Sequence, residues 1–100
     1  MSYTIVYRPR AAKEYLESLL WYKERSDNAA ENFVATISRT LNNVAESPTQ
    51  FKNTYKHFYE VSTKTFPFSI VYFIDYNKQL IVVVSIFHQK RNPRKKFRDK

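Results

Sequence analysis

His88, Lys90 and Arg91 stand in one run, HQKR, directly after an apolar segment, and Lys64 stands in an alternating one. A histidine can take or give a proton near neutral pH. Lysine and arginine can hold a phosphate or stabilise developing negative charge. Neighbouring cations would disfavour the charged form of His88. The plainer reading makes His88 a cap on a sheet edge and Lys64 an outward residue on a half-exposed strand. His57 shows no partner in the sequence and receives no role. The two histidines lie too far apart for ligand-like spacing and cysteine is absent, so no metal is expected.

The cations are unevenly placed. Residues 88 to 100, HQKRNPRKKFRDK, hold seven basic residues against one acid, a net of +6. Residues 1 to 87 hold ten basic and eight acidic residues, a net of +2. We therefore read residues 1–87 as one domain and 88–100 as a basic arm. Such an arm suits an anionic partner, either nucleic acid or an acidic protein segment. Lys64, Lys90, Arg91, Arg94, Lys95 and Lys96 are the candidate target- or nucleic-acid-binding residues. Tyr55, His57, Phe58 and Tyr59 form a cluster that could stack on bases or could close a core edge. Trp21 and Tyr22 could anchor a partner or cover a helical hairpin.

Glycine is absent from the 100 residues. Phosphate-cradling loops, dinucleotide fingerprints and nucleophile elbows depend on glycine, so common nucleotide-dependent enzymes and serine hydrolases are excluded. No cofactor is expected. The first fifteen residues have no apolar run resembling a signal peptide. The longest apolar stretch, 80 to 87, is too short to span a membrane, which needs about 20 residues. A cytoplasmic protein with no membrane partner is expected.

The elements that must position these residues follow from periodicity. Residues 3 to 7 are β-formers. Pro9 suits a first helical turn, and Ala12, Tyr15, Leu16, Leu19 and Leu20 recur at helical spacing, which predicts a helix over 9–25. If Asn28 caps a second helix, Glu31 completes a capping box. Ala30, Phe33, Val34, Ile37, Leu41, Val44 and Ala45 then make one stripe that stops at Ser47-Pro48. Residues 48 to 57 read as irregular. Tyr59, Val61, Thr63 and Thr65 alternate with polar residues as a half-exposed strand that Pro67 ends. Strands at 68–76 and 80–87 follow, both apolar on two faces, with Asn77-Lys78 as the turn and Asn77 suited to a left-handed conformation. The predicted class is α+β. An N-terminal strand and a helical hairpin precede a three-stranded antiparallel meander, with the helices packed on one sheet face.

This order, with AAENFVATISRTLNNVAESP in the second helix, FPFSIVYFID in the third strand and VVVSIFHQKRNP after it, resembles the RelE/ParE toxin superfamily of bacterial type II toxin–antitoxin systems. The likeness covers nearly the whole chain and points to the ParE-like, plasmid-stabilisation branch. It implies a toxin that a cognate antitoxin neutralises by wrapping an extended segment around it. RelE-like members cut mRNA in the ribosomal A site, whereas ParE-like members are known as DNA gyrase inhibitors. By this resemblance Lys64 falls where the family commonly has a basic residue, and Arg91 matches the basic residue after the last strand. Ser69 and Phe97 replace an arginine clamp and a proton-transferring tyrosine of the cutting members. The expectation is a toxin that inhibits its target by binding, with gyrase as the candidate. The alternative is a ribosome-dependent mRNA endoribonuclease with a reduced set of Lys64, His88 and Arg91. A third reading is a non-toxic relative that only binds its antitoxin.

Overall fold

The computed structural model describes residues 3–89. Its elements are β1 (Thr4–Tyr7), α1 (Pro9–Arg25), α2 (Asp27–Glu46), β2 (Lys52–Tyr55), β3 (Phe58–Ser62), β4 (Phe68–Asp75) and β5 (Leu80–His88). Pro9 opens α1, where its missing N–H costs nothing. One residue, Ser26, joins the helices. Its N–H donates to the Tyr22 carbonyl at 2.9 Å, closing α1. Its hydroxyl accepts from the Ala29 N–H at 3.2 Å, opening α2. The cap is thus Ser26 and not Asn28, because α1 runs to Arg25 and leaves no slack for a later start. The second helix ends before Pro48 as its sequence dictates.

The five strands form one sheet in the order β1-β5-β4-β3-β2. β1 runs parallel to β5 and all other pairs are antiparallel. β2 was expected to be irregular chain, so the meander has four strands and not three. Lys52-Asn53-Thr54-Tyr55 has little apolar pattern of its own; it is a mostly exposed edge strand held by pairing with β3. β3 ends at Ser62, short of the predicted Thr65. Thr63 turns inward there, and its hydroxyl donates to the Phe66 carbonyl. In the β4–β5 turn the left-handed residue is Gln79, with φ of 57°, and not Asn77. Asp75 Oδ1 accepts from the Lys78 N–H at 3.0 Å and fixes that turn.

The helices cover one sheet face. Phe33, Ile37, Leu41 and Val44 of α2 meet Val61, Phe68, Ile70, Tyr72, Ile81, Val83 and Ile86. Tyr22 stacks on Phe33 with centroids 5.2 Å apart. The stripe of α1 is rotated from its predicted place. Ala11 and Ser18 are buried and Tyr15, Leu19 and Tyr22 half-buried, while Ala12, Leu16 and Leu20 face out. Val34 and Trp21 are also exposed, and the Arg25 guanidinium lies 3.4 Å above the Trp21 ring. The buried Tyr72 hydroxyl donates to the Pro48 carbonyl at 2.7 Å, tying the end of α2 to the sheet. Burial, helped by Tyr59 alongside, pushes the Tyr72 hydroxyl well above the usual tyrosine range.

β5 carries a bulge. Val71 pairs with Ser85 but Tyr72 pairs with Val83, leaving Val84 as the extra residue. Beyond Val83, β1 no longer accompanies β5. There Glu14 of α1 takes over: its Oε1 accepts from Ser85 Oγ at 2.8 Å and from the Ile86 N–H at 2.9 Å. Its Oε2 pairs with Arg10 Nε at 3.4 Å. One carboxylate therefore docks α1 and satisfies an interrupted ladder.

The second sheet face carries its own apolar cluster of Phe58, Val71, Val82, Val84 and Phe87. Among the described residues none of its buried or half-buried apolar side chains comes from a helix.

Candidate functional site

The sequence singled out Lys64 and His88, and the fold brings both to one end of the sheet. His88 ends β5 opposite Phe68, the first residue of β4. Its ring is half-buried and meets the Phe68 ring edge-on at 5.3 Å. Lys64 is exposed in the connection from Thr63 to Pro67 and not on a strand, because β3 stops at Ser62. Gln89 anchors this end: its side-chain amide donates to Ser62 Oγ and Ser69 Oγ, both at 3.0 Å. Its N–H donates to the Pro67 carbonyl at 2.7 Å. Ser69 is 1% exposed. Lys90, Arg91, Arg94, Lys95, Lys96 and Phe97 lie outside the described residues.

A second cluster, which sequence reasoning did not assemble, lies at the other end of β3. The β2–β3 hairpin reverses at Lys56, whose φ is 51°. A lysine there carries a left-handed strain that glycine would avoid. Asn53 holds it: its side-chain amide donates to the Lys56 and Phe58 carbonyls, both at 3.0 Å. This fixes Tyr55, Lys56 and His57 over the second sheet face. Arg8, Pro9 and Arg10 approach the same place from the start of α1. Between them lies a groove of about 550 Å³ floored by Phe58, Phe73 and Val84. The His57 ring sits 4.3 Å from Phe58 and 5.3 Å from Phe73. The Arg8 guanidinium lies 5.5 Å from the Phe73 centroid, and Lys56 Nζ 5.2 Å from that of Tyr55. The lining thus joins an aromatic floor to arginine and lysine, with no carboxylate among its residues. Arg10 is partly neutralised by Glu14. The aromatic cluster read from sequence is split by the strand period. Phe58 joins the groove, while Tyr59 turns to the helix side and stacks on Tyr72 at 5.5 Å.

Neither cluster resembles a metal centre; the described residues hold no group of three or more potential ligands. No helix among them is long and apolar enough to cross a membrane.

Known proteins share this architecture. A structure of the chromosomal ParDE TA system from P. aeruginosa superposes with a TM-score of 0.72 at 13% identity, covering 87% of this chain and 96% of that one. The isolated E. coli RelE toxin gives 0.63 at 19%, covering 90% and 87%. The toxin–antitoxin complex RelBE2 from Mycobacterium tuberculosis gives 0.61 at 12%, covering 88% and 99%. At such identities the likeness establishes the fold alone. None of the curated proteins matches the sequence. The family model for the ParE toxin of the type II toxin–antitoxin system, parDE, matches residues 5–93, from β1 past the end of β5. A match over nearly the whole chain, on a fold shared with ParDE and RelBE structures, makes this chain a member of the ParE toxin family.

Proposed function

We propose that this toxin arrests growth by binding its target, in the manner of the ParE-like branch, and that it does not cut message. The observation that carries this reading is Ser69. It occupies the position where the cutting relatives are expected to place an arginine. Here the side chain is buried, and its hydroxyl is engaged by Gln89 at 3.0 Å. A small hydroxyl turned into the fold offers no cation to a phosphate. Phe97 supplies no hydroxyl for proton transfer.

The target-facing region is then Lys64 together with the basic arm, Lys90, Arg91, Arg94, Lys95 and Lys96, which follows Gln89 in the sequence. DNA gyrase is the proposed target. A cognate antitoxin neutralises the chain, with acidic residues toward the arm and apolar residues against the sheet or the hairpin. Leu16, Leu20, Trp21 and Val34 are exposed there for such a contact. The setting is cytoplasmic, and plasmid stabilisation is the proposed role.

The test pairs gyrase supercoiling with primer extension on a translated message, using the purified full chain. Inhibited supercoiling without cuts is expected, and Arg91→Ala or removal of residues 91–100 should relieve growth arrest. His88→Ala should matter less, because a binder does not need its proton. Codon-phased cuts that vanish with His88→Ala would overturn the reading in favour of a nuclease using Lys64, His88 and Arg91. Association with an antitoxin should slow as salt rises, since a +6 arm steers an acidic partner.

A further inference from the structure

We propose that the groove on the uncovered sheet face is a nucleotide site. A nucleoside phosphate would lay its base on the ring floor and its phosphate against Arg8 and Lys56. This goes beyond the binding reading above and does not depend on which target the toxin inhibits. The groove opens at the start of β3, and Lys64 lies past its end. At about 3.3 Å per residue, a five-residue strand separates the two by roughly 15 Å or more.

The chemistry points to a flat apolar body joined to an anion. Phe58 and Phe73 meet edge-to-face, with centroids 6.0 Å apart, and the exposed His57 ring lies against both. Phe58 is only 5% exposed beneath His57, so the half-buried Phe73 and the exposed His57 are the rings that offer faces to a base, and stacking of this kind tolerates any base. Arg8 stands at the rim of this floor and Lys56 at the hairpin tip, both exposed. Arginine and lysine at the border of a ring floor match a phosphate one sugar away from a base. A free inorganic anion would leave the rings unused. An acidic peptide would pair with the cations and need not use the rings. The hairpin is set before any ligand arrives, since Asn53 fixes the left-handed Lys56.

The nucleotide could be free or part of a single strand, and one experiment separates these sources. The full chain, labelled with ¹⁵N, is titrated with AMP, a five-nucleotide single strand, inorganic phosphate and an acidic peptide. AMP should saturably move the amide signals of Arg8, Lys56 and His57. Arg8→Ser, Lys56→Gly and His57→Ala should each weaken it about tenfold. Glycine at position 56 keeps the left-handed backbone, and circular dichroism checks that each variant folds. Tighter binding of the strand, with a log–log salt slope near −0.7 per contacted phosphate, identifies a strand; affinity no better than AMP identifies a free nucleotide. The proposal fails if inorganic phosphate binds as tightly as AMP, or if the variants bind AMP unchanged. It also fails if the acidic peptide moves the groove signals and AMP does not.

Discussion

On one face of the sheet Phe68, Ile70, Tyr72, Ile81, Val83 and Ile86 meet the helices; on the other, Phe58, Val71, Val82, Val84 and Phe87 form a cluster to which no described helix adds a buried apolar side chain. Apart from Phe58 of β3, β4 and β5 supply both sets and are apolar toward both sides. The covered face is closed by aromatic and aliphatic interlock, and the buried Tyr72 hydroxyl is tied to a carbonyl. The other face is bordered by cations from Arg8 and Lys56. The lesson is that strand hydrophobicity sets how much apolar surface a sheet presents, while the flanking elements decide what shields it. Stability should therefore concentrate on the helix side and recognition on the other.

The largest test of that contrast lies in α2. Ile37→Ala or Leu41→Ala should each cost about 2–5 kcal/mol in chemical denaturation, because both are buried against the sheet. Leu16→Ala or Leu20→Ala, half exposed on α1, should cost under about 1 kcal/mol. Comparable losses at the two pairs would erase the distinction between shielded and unshielded surface.

A smaller effect is expected at Glu14, where the contrast between the faces is pinned in place. Glu14→Ala should cost about 1–3 kcal/mol, because it strands the Ser85 hydroxyl and the Ile86 N–H. Glu14→Gln keeps one acceptor and should lose less. A midpoint unchanged by Glu14→Ala would show that the bulge stands without the helix.

Tyr72→Phe should cost about 1 kcal/mol or somewhat more by leaving the Pro48 carbonyl unmet. The same residue gives the covered face a pH dependence. Its folded-state value is raised, so the unfolded chain ionises first. The contribution is full below about pH 10 and is lost as pH rises from there toward the folded value. Burial raises Tyr7 and Tyr15 in the same direction. Alkaline melting curves should fall less steeply for Tyr72→Phe than for the parent chain; identical curves would count against this assignment. The smallest effects belong to Arg39→Ala and Asn42→Ala, exposed on the outer side of α2, at under about 0.5 kcal/mol.

The helices were legible because their signals are local: Pro9 begins one, Pro48 stops the other, and the Phe33–Ile37–Leu41 stripe names its buried face. β2 was not legible, since its four residues carry almost no pattern and the strand exists through its partner. The α1 stripe was misplaced by about a quarter of a turn, since Tyr15 and Leu19 belong to both. Leu16 and Leu20 look like core, but the helix turns Ala11 and Ser18 inward instead. Lys64 was placed on a strand because Thr63 and Thr65 continue the alternation, and only the Thr63 hydroxyl contact shows the chain leaving the sheet. The groove escaped notice for a different reason. Arg8 and Lys56 are far apart in the chain, and what joins them is the crossing of the sheet by Phe73 and Val84. No spacing rule could have paired them.

β5 lies between β1 and β4, so the last strand of the sheet is seated beside the first. In order of synthesis, β1 and the hairpin emerge early and must wait for residues 80 to 88 before β1 finds β5, the strand it pairs with among the described residues. β4 waits as well, with one edge open. The pairing most distant in sequence is thus the one that completes the sheet, and such long-range closure is slow compared with helix formation. Nor can the Arg8 side of the groove be fixed before then, because the Arg8 N–H is anchored on Val83. Until residues 80 to 88 exist, the chain holds its helices but not its sheet.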